Sequence, residues 1–244
     1  MADFRIVIPA RYASVRLPGK PLREINGKSM IEWVYRAAEA AEPAQVIVAT
    51  DDQRILDCVK DFGGDACMTA EHHQSGTDRI LEVARQLDWR DDDVVVNLQG
   101  DEPLMPAVNL AQVAENLVAS GCDMATLYKE VDAEHARDPN LVKLVRDRNG
   151  HALYFSRSPI PYDRSQSVTV YYGHIGLYAY RVGFIDSFSR LPPGELEQAE
   201  ALEQLRALAN GYSVHTDLAR ELPGPGIDTE DDLRRVTRLM ETQA

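Results

Sequence analysis

Three cations fall close together near the start of the chain. They are Arg11, Arg16 and Lys20, within Ile6-Val7-Ile8-Pro9-Ala10-Arg11-Tyr12-Ala13-Ser14-Val15-Arg16-Leu17-Pro18-Gly19-Lys20-Pro21-Leu22. Guanidinium forks and an ammonium suit phosphate oxygens, the forks bidentately and the lysine as a point charge. Gly19 lets the backbone come close to a ligand, while Pro18 and Pro21 restrict the loop. In a chain of net charge −13, such a cluster points to a polyanionic ligand. The plain alternative is a solvated basic loop.

Carboxylates supply the complementary chemistry. Val94-Val95-Val96-Asn97-Leu98-Gln99-Gly100-Asp101-Glu102-Pro103 sets an acidic pair just past an apolar run. Asp101 is placed there to hold Mg²⁺ against phosphates, and Gly100 permits close approach. A second aspartate, Asp228, lies in Gly226-Ile227-Asp228-Thr229, where a short strand is expected to give way to the last helix. Mg²⁺ usually takes one or two carboxylates and completes its shell with phosphate oxygens and water. The local alternatives are that Asp101 starts a turn and Asp228 caps a helix.

A third constellation is His72-His73-Gln74-Ser75-Gly76-Thr77-Asp78-Arg79. Ser75, Gly76 and the Thr77 hydroxyl fall at a helix N-terminus, where free N–H groups could read a base or sugar edge. A plain capping loop is the other reading. The two histidines have no partner at metal-ligand spacing, which argues against zinc.

The elements that must position these residues alternate in the first half. Strands are predicted over 4–8, 45–49, 66–68 and 93–98. Helices are predicted over 29–41, from a cap at Thr50 or Asp51 to Gly63-Gly64, over 77–87 and over 106–119. Alternation of this kind indicates a doubly wound three-layer domain, whose ligands bind beyond the carboxyl ends of the strands. The second half predicts strands over 124–129, 141–146, 151–155, 175–180 and 213–218, with a hairpin turn at Asn149-Gly150. A proline-marked loop spans 158–166, and helices are predicted over 181–189, 195–210 and 229–240. The expected fold is α/β: a three-layer Rossmann-like arrangement with a mixed, mostly parallel sheet and a smaller lid or dimerisation portion lying over the first half. A single domain is expected over 1–244, divided at about residues 122 and 226, with a closing helix over 227–244.

Composition removes several classes. The acidic balance opposes nucleic-acid and membrane-surface binding, and no apolar stretch approaches membrane-spanning length. Cys58, Cys67 and Cys122 are scattered and odd in number. They read as reduced core thiols of a cytosolic protein, which agrees with opening residues that carry no signal-peptide pattern. A nicotinamide dehydrogenase would need a Gly-x-Gly-x-x-Gly turn after the first strand, and an arginine-rich loop stands there instead. A non-catalytic nucleotide-binding module would be expected to lose the metal carboxylates, and both are present.

Taken in order, these segments resemble the 3-deoxy-manno-octulosonate (Kdo) cytidylyltransferase family, also called CMP-Kdo synthetases. The likeness includes Ala152-Leu153-Tyr154-Phe155-Ser156-Arg157, His174-Ile175-Gly176-Leu177-Tyr178 and Leu202-Glu203-Gln204-Leu205-Arg206. It implies transfer of CMP from CTP to the anomeric hydroxyl of an eight-carbon 2-keto-3-deoxy sugar acid, with release of pyrophosphate, for lipopolysaccharide synthesis in the cytoplasm. It also implies a nucleotide-binding half to about residue 122 and a sugar-binding and dimerisation half over about 123–226. By the same resemblance Arg11 and Lys20 bind triphosphate, with Ala10, Ser14 and Arg16 in support. Asp101 and Asp228 hold Mg²⁺, and Gln74, Ser75 and Gly76 form part of the cytidine pocket. Arg79, Gln99, Arg157, His174, Tyr178 and Glu203 surround the sugar, with Arg157 or Arg79 facing its carboxylate. His174 reads as a sugar contact or a structural histidine.

The chain departs from the common pattern on the sugar side. The connection from Tyr162 to His174 is short, and Gln198 stands where a histidine is frequent. The 8-amino-3,8-dideoxy form of the sugar, or another acidic sugar, therefore stays open as the acceptor. A homodimer is also implied, with Tyr171, Tyr172, Ile175 and Tyr178 serving either its face or the sheet core.

Overall fold

A computed structural model describes residues 3–14, 16–73, 75–165 and 167–242. Gln74, a predicted cytidine contact, and Gln166, the predicted end of the proline-marked loop, lie outside the described residues. The first half follows the predicted alternation: β1 (Arg5–Ala10), the short hairpin strands β2 (Glu24–Ile25) and β3 (Lys28–Ser29), α1 (Met30–Glu39), β4 (Gln45–Thr50), α2 (Gln53–Asp61), β5 (Ala66–Met68), α3 (Gly76–Gln86), β6 (Val94–Asn97) and α4 (Ala107–Ser120). The second half contains β7 (Met124–Val131), β8 (Lys143–Arg146), β9 (Ala152–Ser156), β10 (Tyr171–Arg181), α5 (Val182–Phe188), α6 (Glu195–Glu200), α7 (Gln204–Ala209), β11 (Val214–Leu218) and α8 (Glu230–Glu241).

Among the described residues, a nine-stranded sheet runs β11-β7-β10-β6-β1-β4-β5, and the β8–β9 hairpin attaches to β10. β1 is parallel to both β4 and β6, whereas β10 runs antiparallel to β6 and β7. This corrects the expectation of a lid over the first half. The later strands extend the same sheet, with Tyr178 opposite Asn97 and Tyr180 opposite Val95.

Alternation within the strands explains the layers. Ile6 and Ile8 of β1 pack in a core with Val34 of α1, Ile55 of α2 and Leu110 of α4, while Val7 faces a second core with Ile80 of α3 and Ile185 of α5. A strand buried on both faces reads as a near-continuous apolar run, as Ile6-Val7-Ile8 of β1 and Val94-Val95-Val96 of β6 do. Tyr171 and Ile175 of β10 are buried, and Tyr172 and Tyr178 pack against the second core. Within one chain, these four residues thus pack on or into the sheet's cores.

Local chemistry sets several boundaries. Asp52, not Thr50 or Asp51, caps α2, because its carboxylate accepts from Arg54 N. The helix predicted over 195–210 breaks in two at Ala201, which takes a left-handed conformation at φ 51°. No strand precedes α8 among residues 222–228. Cys122 is buried and the other two cysteines are half-buried; all three are free thiols.

Candidate active site

The basic loop leaves the carboxyl end of β1 and turns back at Gly19, whose φ of +64° and contact with the Tyr12 ring suit glycine. Leu17 is buried and anchors the loop in a third core with Ile25, Met30, Ile227, Leu233, Val236 and Met240. That core ties residues 17–30 to α8. The loop following β6 approaches from the other side. A Cβ on Gly100 would lie 3.1 Å from Pro9 O, so glycine allows this loop to close on β1. Asp101 O accepts from Ile227 N at 3.0 Å. One backbone bond thus sets the segment carrying Asp228 beside the one carrying Asp101.

The predicted phosphate residues converge. A cavity of about 190 Å³ is lined by Pro9, Ala10, Arg11, Ala13, Ser14, Lys20, Pro21, Gln99, Gly100 and Asp101. Lys20 Nζ donates to Asp101 Oδ2 at 2.6 Å and to Asp228 Oδ1 at 2.9 Å. Arg16 Nη2 donates to the same Asp228 oxygen at 2.9 Å. Arg11 is exposed at the rim. Asp228 is not the cap of α8: Thr229 accepts from Asp232 N, and Asp232 in turn accepts from Thr229 N and Asp228 N. The Asp228 carboxylate is therefore left to the site.

The charges explain one another. Burial works against the Lys20 ammonium, but Asp101 and Asp228 outweigh it and hold its pKa above the usual lysine value. Glu102 has the opposite experience. Burial, then the charges of Asp101 and Asp228, push its carboxyl up to about 7. Sequence reasoning placed no role on Glu102; its adjacency to Asp101 was the available signal. Among the described residues no three His, Cys, Asp or Glu side chains form a metal-holding group. A dication here would have Asp101 and Asp228 as protein ligands and would draw its other ligands from phosphate and water, as Mg²⁺ does. Both carboxylates share one cation, the Lys20 ammonium.

The predicted nucleotide side continues at α3. Ser75 caps it in a capping box with Asp78, and Gly76 packs on Pro9, to whose ring a Cβ would lie 3.4 Å away. The capping reading of Ser75 holds, and the Gly76–Pro9 contact sets this helix start against the end of β1.

On the sugar side the predicted residues divide. Thr77 Oγ1 donates to Glu203 Oε2 at 3.1 Å, and Thr77, Tyr178, Tyr180, Glu203 and Gln204 help line a small cavity of about 40 Å³. Burial pushes Glu203 and Tyr178 upward. Burial also pushes His174 down to about 3, which leaves it neutral. Thr126 Oγ1 lies 2.9 Å from His174 Nε2 and 2.8 Å from Leu177 O. With the hydroxyl proton on Leu177 O, the His174 Nε2–H donates to Thr126. His174 also meets the Phe155 ring edge-on and tilts over Tyr178. Asn97 Oδ1 and Gln204 Nε2 are buried without partners among the described residues. Asn97 was legible only as a polar break in a valine run.

Two predicted carboxylate partners are committed elsewhere. Arg79 is 1% exposed, and its guanidinium donates to Asp51 at 2.7 Å and to Thr69. Arg157 donates to the backbone oxygens of Glu200, Pro139 and Ala201. Neither presents an open fork. Gln198 is exposed and its side chain donates to Pro193 O, so this departure from the common pattern lies on the outside of α6.

Comparison with known proteins agrees with this geometry. Residues 5–218 match the cytidylyltransferase family. The 3-deoxy-manno-octulosonate cytidylyltransferase of Pseudoalteromonas atlantica is 51% identical, over 96% of each chain. Its counterpart from Photobacterium profundum is 49% identical, over 98% of this chain and 99% of that one. A solved CMP:2-keto-3-deoxy-manno-octonic acid synthetase complexed with CTP superimposes with a TM-score of 0.95 at 43% identity, each chain being covered completely. With a family match over most of its length and full-length identity near one half, the chain belongs to the 3-deoxy-manno-octulosonate cytidylyltransferase family.

Proposed function

We propose that the protein transfers CMP from CTP to the anomeric hydroxyl of 3-deoxy-D-manno-octulosonate, releasing pyrophosphate, and that it uses Mg²⁺. The observation that carries this reading is the convergence of Arg11, Ser14, Lys20 and Asp101 on one cavity, with Asp228 joined to it through Lys20. The family relatives named above act in a way consistent with that arrangement.

The sugar oxygen bonds to the α-phosphorus as the α–β bridging bond breaks, and the pair of electrons leaves with pyrophosphate. Little covalent chemistry is asked of the protein, so positioning and charge neutralisation carry the rate. Arg11 and Lys20 neutralise the departing phosphates, with Arg16 and Ser14 in support. Asp101 and Asp228 would hold Mg²⁺, which when bound would supply Lewis-acid charge at the phosphates and ease loss of the attacking hydroxyl's proton to solvent. Ser75 and Gly76 face the cytidine from the start of α3. Tyr178, His174, Gln99 and Glu203 contact the sugar, with neutral His174 as a hydrogen-bonding surface and not a base. With nucleotide bound, Lys20 would exchange its carboxylate partners for phosphate oxygens, leaving Asp101 and Asp228 to the metal.

The remaining features belong to the same proposal. The protein works as a homodimer in the cytoplasm, and its product serves lipopolysaccharide synthesis. No helix among the described residues is long and apolar enough to cross a membrane. The deciding experiment is pyrophosphate release from CTP and Mg²⁺, run in parallel with Kdo and its 8-amino analogue. Fast release with Kdo is expected. Release with the amino sugar alone would move the acceptor, and silence with both while CTP binds would overturn the reading.

A further inference from the structure

Lys143 is fully buried, at 0% exposure, and makes no salt bridge among the described residues. Its ammonium donates to Asp138 O at 2.9 Å, to Leu141 O at 2.6 Å and to Arg157 O. Three donors meet three backbone acceptors, which is the full capacity of a lysine head. Burying a charge this way is costly unless every donor is used. Burial accordingly lowers its pKa. An apolar side chain would fill the same space at less cost, so the charge must be retained for what it holds.

What it holds is a relay. Lys143 pairs across the β8–β9 hairpin with Ser156, the residue before Arg157. Ser156 Oγ donates to Glu200 Oε1 at 2.6 Å, and Arg157 N donates to Glu200 Oε2 at 2.9 Å. The Arg157 side chain then reaches over the end of α6, donating from Nε to Glu200 O at 2.7 Å and from Nη2 to Ala201 O at 3.4 Å. Ala201 is left-handed, at φ 51° and ψ 51°. A residue with a Cβ pays about 1–2 kcal/mol there, and such strain persists only where its surroundings hold it. Two residues later comes Glu203, hydrogen-bonded to Thr77 at the edge of the small cavity.

We propose that Lys143 is a positioning residue for the acceptor pocket: it anchors the Arg157 backbone, Arg157 clasps the left-handed turn at Ala201, and that turn delivers Glu203. Arg157 on this account works mainly through the α6–α7 break and not as an open carboxylate fork. The inference rests on the proposal that Glu203 faces the acceptor sugar.

The test combines kinetics with amide exchange on the full-length protein. Lys143→Met keeps the volume and removes the donors. It should raise the KM for Kdo about tenfold, the loss of one positioning hydrogen bond to a charged group, while the KM for CTP stays level and kcat changes by less than about threefold. The amides of Arg157 and Leu202, bonded to Glu200 and Glu197, should exchange faster than in the parent. Arg157→Lys, which keeps a cation but cannot span the carbonyls, should speed exchange at Leu202 in the same way and carries the test if Lys143→Met does not fold. Unchanged exchange at Leu202 in the folded variants would overturn the relay. Equal rises in both KM values would also overturn it, by showing general loosening. The exchange measurement needs no sugar, so it judges the relay even if the parent protein fails to use Kdo.

Discussion

Lys20 Nζ lies 2.6 Å from Asp101 Oδ2, although 81 residues separate the two in the chain. The same ammonium reaches Asp228, 208 residues away. The site is thus assembled around a cation that belongs to the protein, between two carboxylates proposed for a metal.

Replacing either carboxylate should separate chemistry from folding. Asp101→Asn or Asp228→Asn is expected to lower kcat at saturating Mg²⁺ by about a hundredfold or more, since each removes charge where the metal would sit. Pyrophosphate release across a Mg²⁺ series measures this. An Asp101→Asn protein that kept most of its turnover would refute the metal assignment.

Lys20→Met should have two faces. Without metal, Asp101, Asp228 and Glu102 would repel with no internal cation, and stability should fall by about 1–2 kcal/mol. Added Mg²⁺ should then raise the melting temperature more in the variant than in the parent. Thermal unfolding with and without Mg²⁺ reads both effects, while kcat/KM for CTP, measured with Mg²⁺, should drop.

Glu102 gives the metal-free protein a predictable pH dependence. Its carboxyl titrates near 7 when folded, against 4.5 in the unfolded chain. Between those values the folded state binds more protons, so stability falls as pH rises from about 4.5 to about 7 and is level above. Glu102→Gln should flatten that window and make the protein more stable than the parent at pH 8. Denaturant unfolding at pH 5 and pH 8 is the check.

His174 contributes in the other direction. Its pKa, held down to about 3 by burial, lies below the 6.5 of an unfolded histidine. The unfolded chain therefore binds more protons between those values, and stability is lost as pH falls from about 6.5 towards 3. His174→Gln should lessen this acid sensitivity, followed by denaturant unfolding at pH 4 and pH 7.

Leu233 tests how the closing helix delivers Asp228. It is buried in the small core with Leu17 and Ile227. Leu233→Ala should cost about 2–5 kcal/mol and lower kcat, because the Asp228 segment loses its support. The KM for Kdo should change little. A variant with reduced stability but unaltered kcat would mean that Asp228 is held from the Asp101 side alone.

Much of this molecule was legible in the chain because its cues are local. Alternating apolar periodicity determined the strands and helices of the first half, and turn chemistry marked the Asn149-Gly150 hairpin. The cation loop and the Gln99-Gly100-Asp101 segment each carry their chemistry within a few residues, so their positions past β1 and β6 followed from the fold class. The tertiary structure alone decided which distant groups would share a charge. Arg79 looks like a ligand for a sugar acid in sequence, yet folding puts Asp51 and Thr69 against it. Asp228 looks like a helix cap, yet Thr229 takes that duty and packing of α8 on Leu17 carries Asp228 to Lys20. The antiparallel seating of β10 beside β6 and the break at Ala201 are of the same kind. Each depends on which of several long-range partners wins, and side-chain spacing along the chain holds no record of that competition.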